Sequence, residues 1–176
     1  RRYYDGGRLN KEYPIEKPDV NITKVPSTFK AYAEVFSLDF SNINTYGMTF
    51  GGGALTNRDW EFINNIIDKY NIKNILEFGA GLSTLLFNDK IKEVVTYEDK
   101  QGWIDKITGL KSSCDIRLWS GKAFPIELTD KKFDLTFVDG PSGDLPRELS
   151  TKIASELSSF IIVHDAGREY ARKYQD

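Results

Sequence analysis

Short apolar segments alternate with segments of helical periodicity from about residue 55 onward. Strands are predicted near 74–78, 93–97, 114–118, 133–138 and 159–163. Helices are predicted from about 57, from about 82, from about 102 and over 145–158, with a last helix after the fifth strand. The runs at 133–138 and 160–163 are largely apolar, which is typical of strands buried on both faces. This order predicts an α/β fold with a doubly wound, mostly parallel sheet and helices on both faces.

The first predicted helix carries a start signal and an apolar stripe. Thr56 is followed three residues later by Asp59, which resembles a capping box whose acid is one carbon short. Apolar side chains then recur at helical spacing, at Trp60, Ile63, Ile67 and Tyr70. We interpret this stripe as packing against the sheet rather than as a ligand site.

The chain before this helix shows a different pattern. Residues 1–28 are polar, contain three prolines and lack periodicity, which predicts an extended arm. The segment 29–40 could form a strand or a short helix, and the glycines at 51–53 form a flexible joint. We therefore predict an N-terminal arm over 1–54, able to supply a cap or edge strands, and a main domain over 55–176.

Composition narrows the class of protein. The 176 residues are 40% hydrophobic and 28% charged, enough for one domain with a full core. A net charge of -2 gives no general attraction to nucleic acid, so no nucleic-acid partner is expected. No apolar run approaches the roughly 20 residues of a membrane span. The single cysteine, Cys114, predicts a core residue and favours a reducing, cytoplasmic compartment, while the oligomeric state stays open.

A glycine-rich turn follows the predicted strand at 74–78. Gly79 and Gly81 can adopt positive φ and have no Cβ to block a nucleoside, although an ordinary strand-to-helix turn is the alternative. The third glycine of the dinucleotide fingerprint is absent, because Thr84 stands at that position. Glu77, two residues before the turn, would repel a diphosphate but suits a cationic or zwitterionic ligand. Both features argue against a nicotinamide dinucleotide.

The turn resembles motif I of class I S-adenosylmethionine-dependent methyltransferases, a Glu/Asp-x-Gly-x-Gly loop that holds the methionyl part of the cofactor. The resemblance implies a Rossmann-like sheet with S-adenosylmethionine as the cofactor, and it covers about residues 55–172. Cofactor contacts are then predicted for Glu77, Gly79, Ala80, Gly81 and Ser83 around the turn, and for Glu98 on the ribose. Trp119 or its neighbour Ser120 is placed beside the adenine, with a core tryptophan as the alternative reading of Trp119.

Acidic residues and the only histidine follow the fourth and fifth predicted strands. In parallel sheets ligands bind beyond the carboxyl ends of the strands, so Glu77, Glu98, Trp119, Asp139 and His164 should converge on one rim. Asp139, His164 and Asp165 could hold a divalent cation that lowers the pKa of a substrate hydroxyl. In a metal-free scheme, His164 or Asp139 is a direct general base. A helix N-cap at Asp165 and a buried, hydrogen-bonded His164 are the structural alternatives.

A narrower resemblance rests on three segments after the third strand: Val138-Asp139-Gly140-Pro141-Ser142-Gly143, then Pro146-Arg147, then Val163-His164-Asp165 with Arg168. These segments look like those of plant glucuronoxylan 4-O-methyltransferases and related polysaccharide-modifying enzymes, although a glycine of the Pro-Gly-Arg element is missing. The resemblance implies O-methylation of a sugar hydroxyl on a small-molecule or glycan acceptor. Arg147 or Arg168 could hold an acidic group of that acceptor, or each could be a surface charge.

Two questions stay open at this level. Class I methyltransferases usually add a sixth and a seventh strand, yet only eleven residues follow Asp165. Either the chain is truncated, or edge strands come from elsewhere, such as the 29–50 region.

The predicted function is an S-adenosylmethionine-dependent O-methyltransferase acting on a sugar or polysaccharide. A nicotinamide-dependent oxidoreductase and a catalytically silent nucleoside-binding module are the alternatives.

Overall fold

The computed structural model describes residues 38–51, 55–141 and 147–165. Its strands are β1 (Asn74–Phe78), β2 (Glu93–Glu98), β3 (Asp115–Leu118), β4 (Phe133–Val138) and β5 (Ser158–Val163). Its α-helices are α1 (Asn57–Tyr70), α2 (Leu82–Lys90), α3 (Gln101–Leu110) and α4 (Glu148–Leu157). Single-turn 3-10 helices lie at Phe40–Asn42 and Ile126–Leu128.

The five strands form one parallel sheet in the order β3-β2-β1-β4-β5. The chain builds outward from β1 to β3 and then crosses back to β4, so the strand order reverses between β1 and β4. This is the doubly wound, Rossmann-like arrangement, and the predicted fold class is confirmed. Every predicted strand matches an observed one to within a residue at each end. The predicted last helix lies outside the described residues.

Both faces of the sheet are covered, because successive side chains of each strand point to opposite sides. One face of β1 carries Ile75, which packs in a cluster with side chains of α1 and α2. The other face carries Leu76 and Phe78, which pack with side chains of α4. Buried strands between two helical layers explain why these segments are so apolar.

Helix α1 begins as the sequence predicted. The Thr56 hydroxyl accepts the amide of Asp59 at 3.2 Å, and Asp59 Oδ2 accepts the amide of Thr56 at 2.9 Å. The shorter acid therefore completes the capping box. Of the predicted stripe, Trp60, Ile63 and Ile67 are buried, but Tyr70 is 46% exposed. Tyr70 ends the helix, and its ring lies 4.5 Å from that of Phe160 rather than in the core.

Residues 38–51 pack against the helices instead of extending the sheet. Leu38, Phe40, Ile43, Met48 and Phe50 contact the core cluster on the α1 and α2 face. Within the suggested region 29–50, residues 38–50 form no strand, and their apolar side chains pack on this core cluster instead. Residues 29–37, like the predicted arm at 1–28, lie outside the described part.

Cys114 is buried, and burial raises the pKa of its thiol. Among the described residues, no helix combines the length and the apolar character needed to cross a membrane.

Candidate functional site

The carboxyl ends of the strands meet at one rim, joined by main-chain hydrogen bonds that continue past the last strand residues. These bonds run from Gly79 N to Tyr97 O at 2.8 Å, Trp119 N to Glu98 O at 2.8 Å, Asp139 N to Phe78 O at 2.8 Å and His164 N to Val138 O at 2.9 Å. Each bond links the turn after one strand to the end of its neighbour. The structure thus brings the main chain of Glu98, Trp119, Asp139 and His164 to the same edge of the sheet, while Glu77 lies one residue before the end of β1.

The glycine turn after β1 lies directly against the turn after β4. Gly79 has a φ of 97°, and a Cβ there would lie 2.9 Å from the carbonyl carbon of Asp139. A Cβ on Gly140 would lie 2.7 Å from the nitrogen of Gly79. Only two glycines allow this main-chain contact, which no sequence pattern had indicated.

Gly81 behaves differently from Gly79. Its φ is −176°, an extended conformation open to any residue, so Gly81 does not use the positive φ that glycine allows. A Cβ built on Gly81 would meet nothing within 4 Å. Here the turn has an open side, as a site for a bound nucleoside requires.

Glu77 lies beneath the turn, fully buried. Its carboxylate accepts hydrogen bonds from Ser83 Oγ at 2.5 Å, Thr84 Oγ1 at 2.7 Å and Thr96 Oγ1 at 2.8 Å. Burial raises the pKa of Glu77 to about 7, although the three hydroxyls act in the opposite direction. Glu77 and Ser83 thereby tie the start of α2 to β1 and β2, while their contact with a cofactor stays a prediction.

Glu98, at the end of β2, contacts the glycine turn from the other side. Its carboxylate accepts the amide of Ala80 at 2.7 Å and the amide of Lys100 at 2.9 Å. Burial raises the pKa of Glu98, while the two amides lower it. The predicted ribose acid and the predicted methionine loop are therefore direct neighbours.

Trp119 lies in the core. Its ring centre is 5.0 Å from that of Phe78 and 6.3 Å from that of Tyr97, and its indole N–H donates to the carbonyl of Ala123 at 2.7 Å. These contacts match the core alternative for this residue. Ser120 is exposed next to it, and an adenine contact for either residue stays a prediction.

Asp139, His164 and Asp165 form a compact cluster at the ends of β4 and β5. His164 Nδ1 lies 3.1 Å from Asp139 Oδ1 and 3.4 Å from Asp165 Oδ2. One ligand atom from each residue falls within 4.8 Å of the others. Asp165 has a φ of 54°, a left-handed conformation that aspartate tolerates better than most residues. One imidazole and two carboxylates at this spacing fit the ligand types of a divalent transition metal, so the donors suit the predicted cation.

Asp59 approaches the opposite edge of the same imidazole. Its Oδ2 lies 3.4 Å from His164 Nε2, although the two residues are 105 positions apart in the chain. Burial raises the pKa of Asp59, but His164 and Thr56 outweigh this effect and lower it to about 2. Sequence reasoning missed this contact because the capping box accounted fully for the presence of Asp59.

The carboxylates determine the charge of His164. Burial lowers the pKa of the imidazole, but Asp139, Asp59 and Asp165 outweigh that effect and raise it to about 10. The raised pKa favours the imidazolium at neutral pH, and an imidazolium has no free ring nitrogen to accept a proton. Metal ligation requires the neutral ring, so a bound cation would have to displace one ring proton.

Arg147 closes the cluster from the N-terminal end of α4. Its Nη2 lies 3.1 Å from Asp139 Oδ1, and its Nη1 donates to the carbonyl of His164 at 2.6 Å. The residue is buried, and its Nε has no hydrogen-bond partner in the described part of the chain. Its guanidinium thus joins the ends of β4 and β5, and its predicted contact with an acceptor stays a prediction. Arg168, Ser142, Gly143 and Pro146 lie outside the described residues.

Replacing Glu77 by alanine is expected to lower the free energy of unfolding by about 3 kcal/mol, because three buried hydroxyls lose their acceptor. Urea unfolding followed by circular dichroism measures the loss. Glu77→Gln keeps the size and one acceptor and should cost clearly less. Glu93→Ala changes an exposed acid at the other end of β2 and serves as the control. Equal stability of Glu77→Ala and wild type would contradict the supporting role of Glu77.

No protein-family model matches the sequence, and no curated protein matches it. A crystal structure of the Thermoplasma acidophilum protein 1320 is similar at 15% sequence identity, with a TM-score of 0.48. The match covers 64% of this chain and 64% of that protein.

Proposed function

We propose that this chain is an S-adenosylmethionine-dependent O-methyltransferase that acts on a hydroxyl of a sugar or polysaccharide. The observation that carries this proposal is the main-chain contact between Gly79 and Gly140. It places the glycine turn, the predicted cofactor loop, beside Asp139 and its cluster. Methyl transfer needs this juxtaposition, because the methyl donor and the acceptor hydroxyl must meet in line.

The charges around the turn favour a cationic ligand. Glu77 lies beneath the turn and Glu98 touches it, and neither acid is paired with a cation in the contacts described above. The negative charge of Glu98, together with the partial charge that Glu77 carries at its pKa of about 7, favours the sulfonium of S-adenosylmethionine and disfavours a diphosphate. Thr84, which replaces the third glycine of the dinucleotide fingerprint, accepts the amide of Gly81 at 2.9 Å. These features support the methyltransferase over the nicotinamide-dependent alternative.

The acid and histidine cluster supplies the chemistry at the acceptor. A sugar hydroxyl is a weak nucleophile at neutral pH, so a base must take its proton or a cation must stabilise its alkoxide. S-adenosylmethionine, when bound, supplies the methyl group. In the metal-free scheme Asp139 or His164 accepts the hydroxyl proton, and the raised pKa of the imidazole favours Asp139 for this role. With a divalent cation, Asp139, His164 and Asp165 are its predicted ligands.

The experiment that tests the cofactor is titration calorimetry with S-adenosylmethionine. Glu98→Ala is expected to weaken binding by about 1 to 3 kcal/mol, because a charged hydrogen-bond acceptor for the ribose is lost. Glu93→Ala, on the same strand but at its opposite end, should bind as wild type does. A melting curve checks that each variant is folded. Unchanged affinity in Glu98→Ala would remove Glu98 from the cofactor site.

The acceptor is tested by transfer of a labelled methyl group to a panel of glycans that includes xylans bearing uronic acids. Methylation of a sugar hydroxyl would support the proposal. Binding of S-adenosylmethionine without transfer to any acceptor would favour the silent nucleoside-binding module. Binding of a nicotinamide dinucleotide in its place would favour the oxidoreductase.

A further inference from the structure

The Nε2 edge of His164 faces a group that the proposed chemistry does not use. On the Nδ1 edge stand Asp139 and Asp165, while Asp59 Oδ2 stands 3.4 Å from Nε2. We propose that Asp59 is a positioning residue, which holds the His164 ring so that Nδ1 faces Asp139 and Asp165. This inference rests on the proposed function for its catalytic meaning, but the contact itself can be tested without turnover.

The position of the Asp59 carboxylate is fixed independently of His164. Its Oδ2 accepts the Thr56 amide at 2.9 Å and the Thr56 hydroxyl at 2.6 Å. The helix that carries it is anchored by the buried residues Trp60 and Ile63. The capping box therefore presents a preset acceptor, and the ring of His164 adapts to it.

The Asp59 carboxylate is important as an acceptor because the ring of His164 is buried. The side chain of His164 is 11% exposed, so water can reach little of the ring. In the described part of the chain, the charged side chains recorded against it are Asp139 and Asp165 on one edge and Asp59 on the other, and Arg147 donates to the carbonyl of the same residue. Without Asp59 the Nε2 proton would lack a described acceptor inside the protein, and a buried donor without a partner is costly.

Ring orientation is the property that Asp59 controls. Rotation of an imidazole about the Cβ–Cγ bond has broad, shallow energy minima. Contacts at the ring nitrogens therefore select the orientation of the ring. An outer carboxylate on one nitrogen leaves the other nitrogen directed at the reacting side, as in metal sites where a carboxylate supports a ligating histidine. In either chemical scheme, Asp59 then keeps Nδ1 beside Asp139.

The chain allows a direct measurement, because His164 is its only histidine. In a protein labelled with nitrogen-15, the imidazole signals can come only from His164, so they need no assignment to a residue. In Asp59→Ala the Nε2 proton should exchange with water about tenfold faster than in wild type, since one charged hydrogen bond is lost. Asp68→Ala removes an exposed acid near the other end of the same helix, so its exchange rate should stay within about twofold of wild type.

Asp59→Asn provides a second variant if the alanine variant is too unstable, since the amide keeps an oxygen for the cap. Its ring-proton exchange should fall between wild type and Asp59→Ala. An exchange rate unchanged in both Asp59 variants would overturn the inference. An equal change in Asp68→Ala would overturn it as well, because a general loosening of the helix would then explain the effect.

Turnover provides the second readout. In Asp59→Ala, kcat should fall about tenfold to a hundredfold while the KM for S-adenosylmethionine stays unchanged, as expected when an outer carboxylate is lost. An unaltered kcat would show that the contact does not serve catalysis and would overturn the positioning role. If the wild type neither binds S-adenosylmethionine nor transfers methyl, the proposed function fails. The ring-proton measurement still decides whether Asp59 holds His164.

Discussion

Asp139→Asn is expected to slow methyl transfer by about a thousandfold, within the range that a general base or an activating metal contributes. His164→Ala should have an effect of similar size. The affinity for S-adenosylmethionine should stay nearly intact in both, because Glu98 and the glycine turn are unchanged. The asparagine keeps the size of Asp139 and a partner for Arg147, which avoids leaving that buried guanidinium without an acceptor.

Single-turnover transfer of a labelled methyl group measures this loss, and calorimetry measures cofactor affinity in the same preparations. Asp105→Asn, an exposed acid on α3, is the matched control and should keep full activity. Wild-type turnover in both variants would overturn the assignment of the cluster. Full activity after exhaustive chelation would remove the cation from the scheme and leave Asp139 as the direct base.

Gly79→Ala is expected to lower the free energy of unfolding by about 3 kcal/mol, the sum of an unfavourable φ and a main-chain clash. The new Cβ would sit 2.9 Å from the main chain of residues 139 and 140, at a φ of 97°. Gly140→Ala meets the same contact from the other side, at 2.7 Å from Gly79 N. Both should therefore destabilise the junction of the two turns.

Gly81→Ala is the matched control for these glycines. It lies two residues from Gly79 but has an extended φ and open space around it, so the loss should stay below about 1 kcal/mol, the typical cost of alanine at a helix N-cap. Denaturant unfolding of the three variants compares them directly. If S-adenosylmethionine approaches this side of the turn, Gly81→Ala should weaken its binding while remaining folded. Equal stability of all three variants would contradict the close contact between the turns.

The sequence was sufficient to predict the strands and the convergence of their carboxyl ends at one edge of the sheet. A largely apolar strand such as 133–138 is stable only when both of its faces are buried, as they are between two layers of helices. Such segments therefore predicted buried parallel strands. A parallel sheet brings its carboxyl ends to one edge whatever the sequence distance, and Glu98, Asp139 and His164 accordingly meet there. These conclusions follow from local pattern plus topology, and neither needs side-chain detail.

Contacts that depend on three-dimensional detail could not be predicted from the sequence. Asp59 already had a complete local explanation as a capping acid, so nothing in the pattern connected it with His164. The closeness of Gly79 and Gly140 depends on the register between β1 and β4. Trp119 follows a strand and could face either a ligand or the core; only the positions of Phe78 and Tyr97 decide between them. The inward direction of Arg147 likewise depends on how α4 meets the end of β4.

The hydrogen bonds that continue past the strand ends also bear on how this scaffold could be redesigned. The backbone positions of Trp119, Asp139 and His164 are held by their own amides, bonded to carbonyls of the neighbouring strands. Any residue except proline offers the same amide. An engineer could therefore exchange the side chains at positions 139 and 164 in combination, as in a library for a new acceptor, and keep each Cα where it is. At this rim the backbone sets the position of a functional group, and the side chain sets its chemistry.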